Sequence, residues 1–211
     1  MKGSLIIISS PSGGGKGTLI KEVLQNVPHI GYSVSYTTRR MRQGEENGRD
    51  YFFVGVAEFN RLIEKGEFLE YAEVHGNFYG TSIKQIAAET NVGRDVILEI
   101  DVQGAANVRA KVPEAVSIFI LPPSFEVLRR RLIARQTEKT EDLALRLHNS
   151  YDEVRHFHEF EYIVINDEVS NAAKNLQSVI LAERMKRVRQ TESVRVILDS
   201  FDASISNVSG E

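Results

Sequence analysis

The chain alternates short, unbroken apolar runs with longer stretches in which apolar residues recur every three or four positions. The runs are Leu5-Ile6-Ile7-Ile8, Val96-Ile97-Leu98, Val116-Ser117-Ile118-Phe119-Ile120-Leu121 and Tyr162-Ile163-Val164-Ile165. A run without polar alternation suits a strand covered on both faces, as in a parallel sheet. After the first run comes a Ser/Pro/Gly loop, and then Leu19, Ile20, Val23 and Leu24 at helical spacing, ending near Pro28. The same spacing predicts helices over 105–112, over 125–134 with Ser124 as N-cap, over 141–157 and over 171–189. Strands alternating with helices predict an α/β fold, a parallel sheet with helices on both faces.

Residues 36–88 break that rhythm. Tyr51-Phe52-Phe53, a short helix around 58–64, and an extended stretch from Phe68 to Val74 before a turn at Gly76-Asn77 predict a small α+β insertion on the rim of the sheet. No internal repeat or low-complexity tract interrupts the chain. The last twenty or so residues, rich in Ser and Val, carry no assignment.

Composition narrows the function. The 211 residues are 42% hydrophobic and 26% charged with net charge −3, an ordinary globular balance, and the length suits one domain with a substantial insertion. The acidic balance argues against a large nucleic-acid footprint, which usually needs a basic face. With no cysteine, disulfides and thiolate metal sites are excluded, which fits a reducing compartment. No apolar run is longer than the four residues of Leu5 to Ile8, too short to span a bilayer or to act as a signal peptide, so the chain is expected in the cytoplasm, without a membrane partner.

The chemistry starts at Ser10-Pro11-Ser12-Gly13-Gly14-Gly15-Lys16-Gly17-Thr18, between the first strand and the first helix. Three consecutive glycines let backbone N–H groups converge on an anion, and the helix that begins there adds its positive end. Lys16 supplies a cation for the β- and γ-phosphates of a nucleoside triphosphate. The pattern departs from the standard phosphate loop at Ser10, in place of the first Gly, and at Gly17, in place of a Ser or Thr whose hydroxyl helps to hold Mg²⁺. Thr18 lies one position late. His156 and His158, at i and i+2, do not share a helical face and are read as solvated rather than metal-binding.

A second set lies in the insertion and just after it: Ser35-Tyr36-Thr37-Thr38-Arg39-Arg40-Met41-Arg42, Gly44-Glu45, Gly48-Arg49-Asp50-Tyr51-Phe52, Phe68-Leu69-Glu70-Tyr71, Gly76-Asn77-Phe78-Tyr79-Gly80-Thr81 and Leu98-Glu99-Ile100-Asp101-Val102-Gln103-Gly104. With the phosphate loop, this set resembles the guanylate kinase family from about Leu5 to Arg189, in order and spacing. The resemblance implies one domain with a P-loop NTPase core and a parallel five-stranded sheet (about 1–34, 90–128 and 157–190), a small α+β GMP-binding insertion (about 35–89) and an arginine-bearing lid (about 129–156). The implied activity is phosphoryl transfer from MgATP to GMP, and dGMP is expected as well, because no residue is dedicated to the ribose 2′-OH.

The resemblance also implies roles. Arg39 and Arg42 would fork the GMP phosphate, with hydroxyls from Tyr51 and Tyr79 on the same group. Ser35 and Thr81 would line the base pocket. Glu70 would read guanine by accepting from N1–H and the exocyclic amine, and Asp101 would add a second acceptor. Glu99 and Asp101 fall at i and i+2 at the end of a strand, and either is a candidate to hold Mg²⁺-bound water. Arg131, Arg135 and Arg146 would close over the transferred group, with Gln136 where the family often has Gly, and Asn166-Asp167 matches the adenine-side loop. The acceptor phosphate is already anionic near neutral pH, so alignment and charge neutralisation carry the reaction without a general base. Two rivals fit the sequence less well: a non-catalytic, peptide-binding relative, against which Gly15-Lys16 and the arginines argue, and a sugar-phosphate kinase, against which Glu70, Thr81 and Asp101 argue. Self-association into a homo-oligomer is left open.

Overall fold

The computed structural model describes residues 2–74, 76–134 and 140–208. In chain order the elements begin with β1 (Leu5–Ser9), α1 (Lys16–Asn26), β2 (Ile30–Tyr32), β3 (Tyr36–Thr37), β4 (Phe52–Phe53), α2 (Val56–Glu64), β5 (Phe68–Val74), β6 (Asn77–Ser82) and α3 (Ile83–Thr90). They continue with β7 (Asp95–Glu99), α4 (Val102–Lys111), β8 (Val116–Leu121), α5 (Phe125–Ala134), α6 (Thr140–Arg155) and a 3₁₀ turn (His156–Glu159). The last are β9 (Tyr162–Ile165), α7 (Val169–Met185) and α8 (Arg187–Val208).

The expected parallel sheet forms in the order β2-β7-β1-β8-β9. Its centre explains the unbroken apolar runs. On β1, Ile6 and Ile8 pack into a core with Leu19 and Val23 of α1 and Leu176 and Ile180 of α7. Leu5 and Ile7 point the other way, onto Ala105 and Val108 of α4 and Phe160. A strand buried on both faces leaves no position for polar alternation. The edge strand β2 escaped sequence reading because it is three residues long with Gly31 at its centre.

The insertion builds a second, four-stranded sheet in the order β4-β3-β6-β5. Phe59 of α2, fully buried, stacks near Phe68 and Phe78 with centroids 4.8 and 5.6 Å apart, which anchors the helix on this small sheet.

Helix α7 corrects the expectation of a helix running on to 189. The backbone leaves helical geometry at Lys186 (φ −53°, ψ 134°), and α8 starts in a new direction. Buried Asp95 fixes that corner: its carboxylate takes Arg184 Nε at 2.7 Å and Arg189 Nη2 at 3.1 Å, and accepts the Ser4 N–H at 2.7 Å. A straight helix would carry Arg189 away from this carboxylate, which needs its cations because it is almost fully desolvated. Among the described residues no helix is long and apolar enough to cross a membrane.

Candidate active site

All five strands of the parallel sheet run the same way, so their carboxyl ends open onto one edge. There β1 passes into the glycine loop, β2 into Ser33 to Ser35, β7 into Ile100 and Asp101, and β9 into Asn166. Open α/β sheets gather ligands at this edge.

The glycine loop is held from both sides. Gly13 and Gly15 adopt φ of 82° and 89°, a region that side-chain-bearing residues avoid. The Gly14 N–H donates to the Pro11 carbonyl at 2.9 Å, and Asn166 Nδ2 donates to the Gly14 carbonyl at 2.8 Å. Helix α1 starts at Lys16 with neither a side-chain cap nor an acidic residue in its first turn, so its first N–H groups and positive end stay directed at the loop. Lys16 Nζ donates to the Ile100 carbonyl at 3.2 Å, bridging loop and β7. Ser10 is buried with its hydroxyl on the Pro11 carbonyl at 3.1 Å, beneath the loop, and Thr18 is exposed to solvent.

Opposite the loop lies a cavity of about 170 Å³. Seven of the residues singled out in the sequence line it: Lys16, Ser35, Tyr51, Glu70, Tyr79, Glu99 and Asp101. A larger cavity, about 640 Å³, lies against Leu5, Ile86, Val112 and Val188, and none of the predicted site residues lines it.

Glu70 sits on β5 at 3% exposure. Thr81, its register partner on β6, donates its hydroxyl to Glu70 Oε1 at 2.5 Å. Burial pushes the Glu70 carboxyl up to about 7, and the Asp101 charge adds to the rise while Thr81 and Lys111 oppose it. Gly104 matters to this pair through the space it leaves: a Cβ there would lie 3.0 Å from Glu70 Oε2 and 3.2 Å from Asp101 Oδ1. Asp101 caps α4, its Oδ1 accepting from the Gly104 N–H at 2.8 Å. Thr81, 1% exposed, therefore bears on the cavity through Glu70 rather than by lining it.

The arginines divide. Arg39 lies over the Tyr51 ring at 5.3 Å, and Tyr51 stands edge-on to Tyr79 with centroids 5.9 Å apart. Burial draws the Arg39 guanidinium down, but Glu45, 2.8 Å from Nη2, and Tyr79 outweigh it and leave its pKa raised. Burial and the nearby charge of Glu99 push the Tyr51 hydroxyl to about 12. Neither arginine is part of the cavity lining, and Arg42 is exposed, its backbone N–H tied to Glu45 Oε2 at 2.8 Å.

Glu99 and Asp101, equivalent in the sequence, separate in space. Asp101 faces Glu70, whereas Glu99 faces the loop: a Cβ on Gly17 would stand 3.8 Å from Glu99 Oε1. The Tyr32 hydroxyl donates to Glu99 Oε2 at 3.1 Å, and burial followed by the Glu99 charge raises the pKa of that hydroxyl. Among the described residues no three His, Asp or Glu side chains cluster tightly enough to cage a metal. His156 and His158 instead bond Glu159 and the Arg155 carbonyl within their own turn.

On the lid side, Arg131 Nη2 donates to the Asn166 carbonyl at 2.9 Å. Its Nη1 would lie 3.8 Å from a Cβ on Gly15, so it already reaches the loop. Arg131 Nη1 and Asn166 Oδ1 are buried there without a hydrogen-bond partner among the described residues. Arg146 is on α6, its carbonyl accepting from Ser150, whose hydroxyl also lies 3.2 Å from the Ser12 carbonyl. Arg135 lies outside the described residues, as do residues 136–139, part of the segment expected from the sequence to form a lid.

Three residues at the site had no assigned role in the sequence. Glu45 ties Arg39 to the Arg42 backbone, Tyr32 holds Glu99, and Glu153 of α6 accepts the Ser12 N–H of the loop at 2.9 Å. For Glu45 a signal was present, since it sits within the quoted Gly44-Glu45 motif. Glu153 is 141 positions from Ser12, and no local pattern marks that pairing.

The guanylate kinase family model matches residues 2–183. A guanylate kinase of Dechloromonas aromatica strain RCB is 50% identical over 182 residues, covering 86% of this chain and 90% of that one. The guanylate kinase of Thermotoga maritima is 44% identical, over 92% and 94% of the two chains. The crystal structure of a guanylate kinase from Anaplasma phagocytophilum superposes with a TM-score of 0.78 at 36% identity, over 94% of this chain and 95% of the other.

Proposed function

The chain belongs to the guanylate kinase family and is a nucleoside monophosphate kinase, and we propose that it transfers the γ-phosphoryl group of MgATP to GMP across the cleft between the glycine loop and Glu70. The observation that carries this reading is the shared cavity: Lys16 from the donor loop lines the same space as Ser35, Tyr51, Glu70, Tyr79 and Asp101 from the acceptor side. A small space lined by a cation at one end and by a buried carboxylate at the other suits a purine monophosphate lying between them.

In this reading Glu70, held by Thr81, accepts from guanine N1–H and the exocyclic amine, with Asp101 beside it. Adenine presents an unprotonated N1 at that point, which leaves a buried carboxylate unpaired and costs a few kcal/mol, or about 10²-fold in preference. Arg39, fixed by Glu45, and the hydroxyls of Tyr51 and Tyr79 take the acceptor phosphate, and Arg42 reaches it from the exposed rim. Lys16 takes the donor phosphates together with main-chain N–H groups of the loop other than those of Ser12 and Gly14, which are bonded to Glu153 and Pro11, while Arg131 and Asn166 border the nucleotide side of the loop. Arg135 and Arg146 complete the neutralisation of charge when the lid closes.

The site fits a hydrated Mg²⁺. Gly17 contributes no hydroxyl, yet the Glu99 carboxylate faces it across open space and is steadied by Tyr32, so Glu99 rather than Asp101 is assigned to the ion. When bound with the triphosphate, Mg²⁺ would neutralise charge on the phosphoryl oxygens. The chain's own contribution is to hold the acceptor oxygen in line with the donor and to keep water out.

A coupled assay of ADP formation with GMP, dGMP, AMP and a ribose bisphosphate tests this reading. Turnover with GMP and dGMP far above the others supports it. A preference for the sugar phosphate, or no turnover with GMP, removes it.

A further inference from the structure

Helix α8, Arg187–Val208, begins after the family match has ended at residue 183. Its first turn is fastened to the body: Arg189 pairs with Asp95, and Gln190 Nε2 donates to the Arg184 carbonyl at 2.8 Å. From 191 to 202 every residue is exposed. Within this solvated stretch and its next turn lie Val194, Leu198, Phe201 and Ile205, exposed by 47, 57, 61 and 60%. Their steps of four, three and four are the a/d seam of a coiled coil, and Ile197, 53% exposed, widens it. Isolated apolar residues on a surface need no account, but a continuous seam does.

We infer that α8 is a self-association helix, through which two copies of this chain pack antiparallel about a two-fold axis. The seam is self-complementary when reversed. Val194 then falls opposite Ile205 of the second copy, and Leu198 opposite its Phe201, so each layer pairs a smaller side chain with a larger one. Arg195 and Asp202 occupy equivalent flanking positions one heptad apart. Reversal sets Arg195 of each copy beside Asp202 of the other, giving two opposite-charge pairs. A parallel pair would instead set Asp202 beside Ile197 and Arg195 beside Gln190, with no charge match. The globular body hangs at the amino end of α8, so antiparallel packing holds the two bodies at opposite ends of a helix that, at 22 residues, is about 33 Å long. A parallel pair would crowd both bodies at one end. A seam of four layers is smaller than a standard interface of about 800 Å² per copy, so the dimer is expected to be weak, with a dissociation constant on the order of 10 µM.

Sedimentation velocity on the full chain from about 1 to 100 µM tests this, with a dimer expected to build up on the order of 10 µM. Phe201→Glu should leave a monomer across that range with GMP turnover intact, which shows that the body is folded. Arg195→Glu and Asp202→Arg should each weaken the dimer several-fold, and the double exchange should restore it. A wild-type chain that stays monomeric at the highest concentration overturns the inference, whether its seam is bare or binds another protein. So does an assembly whose mass Phe201→Glu does not change, or a double exchange that fails to restore what the single ones lose.

Discussion

Thr81 donates its hydroxyl to Glu70 Oε1 at 2.5 Å, and the two face each other in register across β5 and β6. The bond favours the ionised carboxylate, while burial and Asp101 favour the protonated one, and the balance leaves Glu70 titrating near 7. The group assigned to read guanine therefore changes charge near neutral pH.

That sets a pH dependence. Only ionised Glu70 can accept from both guanine donors, so GMP binding competes with a proton. The KM for GMP should be flat above pH 7 and rise about tenfold per unit well below it. Thr81→Val removes a bond that holds the pKa down, so the limb should move to higher pH. In Glu70→Gln the limb should vanish, leaving only the titration of the GMP phosphate. A limb that survives in Glu70→Gln belongs to another group.

The same shift has a consequence for stability. Glu70 has its pKa raised from 4.5 to about 7, so the folded state binds the proton more tightly than the unfolded one. Its contribution favours folding below pH 4.5, is lost progressively as pH rises through 7, and leaves the ionised group costing about 3 kcal/mol at pH 8. Glu70→Gln, neutral and nearly isosteric, should therefore be more stable than the parent by about 1–3 kcal/mol at pH 8, with the gap closing towards pH 5. Urea denaturation at both pH values measures this; a less stable variant at pH 8 contradicts it.

Glu45 bonds Arg39 Nη2 and the Arg42 N–H, each at 2.8 Å. Glu45→Gln should raise the KM for GMP about tenfold, the loss of one charge-assisted bond, with the KM for ATP nearly unchanged. Steady-state kinetics in both substrates separates the two effects.

Glu99 faces Gly17, where a hydroxyl-bearing residue is usual. Glu99→Gln should raise the Mg²⁺ concentration needed for half-maximal rate on the order of tenfold while the KM for GMP changes little. A magnesium titration at saturating nucleotides decides it, and an unchanged requirement moves the assignment away from Glu99.

What could be read in advance follows from how local the signal was. Leu5 to Ile8 declared a buried strand because both its faces are covered, and the glycine loop was marked by residue type alone. Glu99 and Asp101 looked equivalent, since two residues at the end of a strand carry no record of which neighbour each will meet. Tyr32 and Glu153 went unread because their partners are 67 and 141 positions away. The seam on α8 was obscured by serines and valines, weak helix formers that mask a heptad when propensity is weighed before spacing.

The most direct test of the account is the discrimination between GMP and AMP, measured as the ratio of their kcat/KM values in the parent and in Glu70→Gln at pH 8. The account predicts that the ratio falls about 10²-fold in the variant while the KM for ATP stays within about twofold. An unchanged ratio would mean that guanine is read elsewhere and would contradict it.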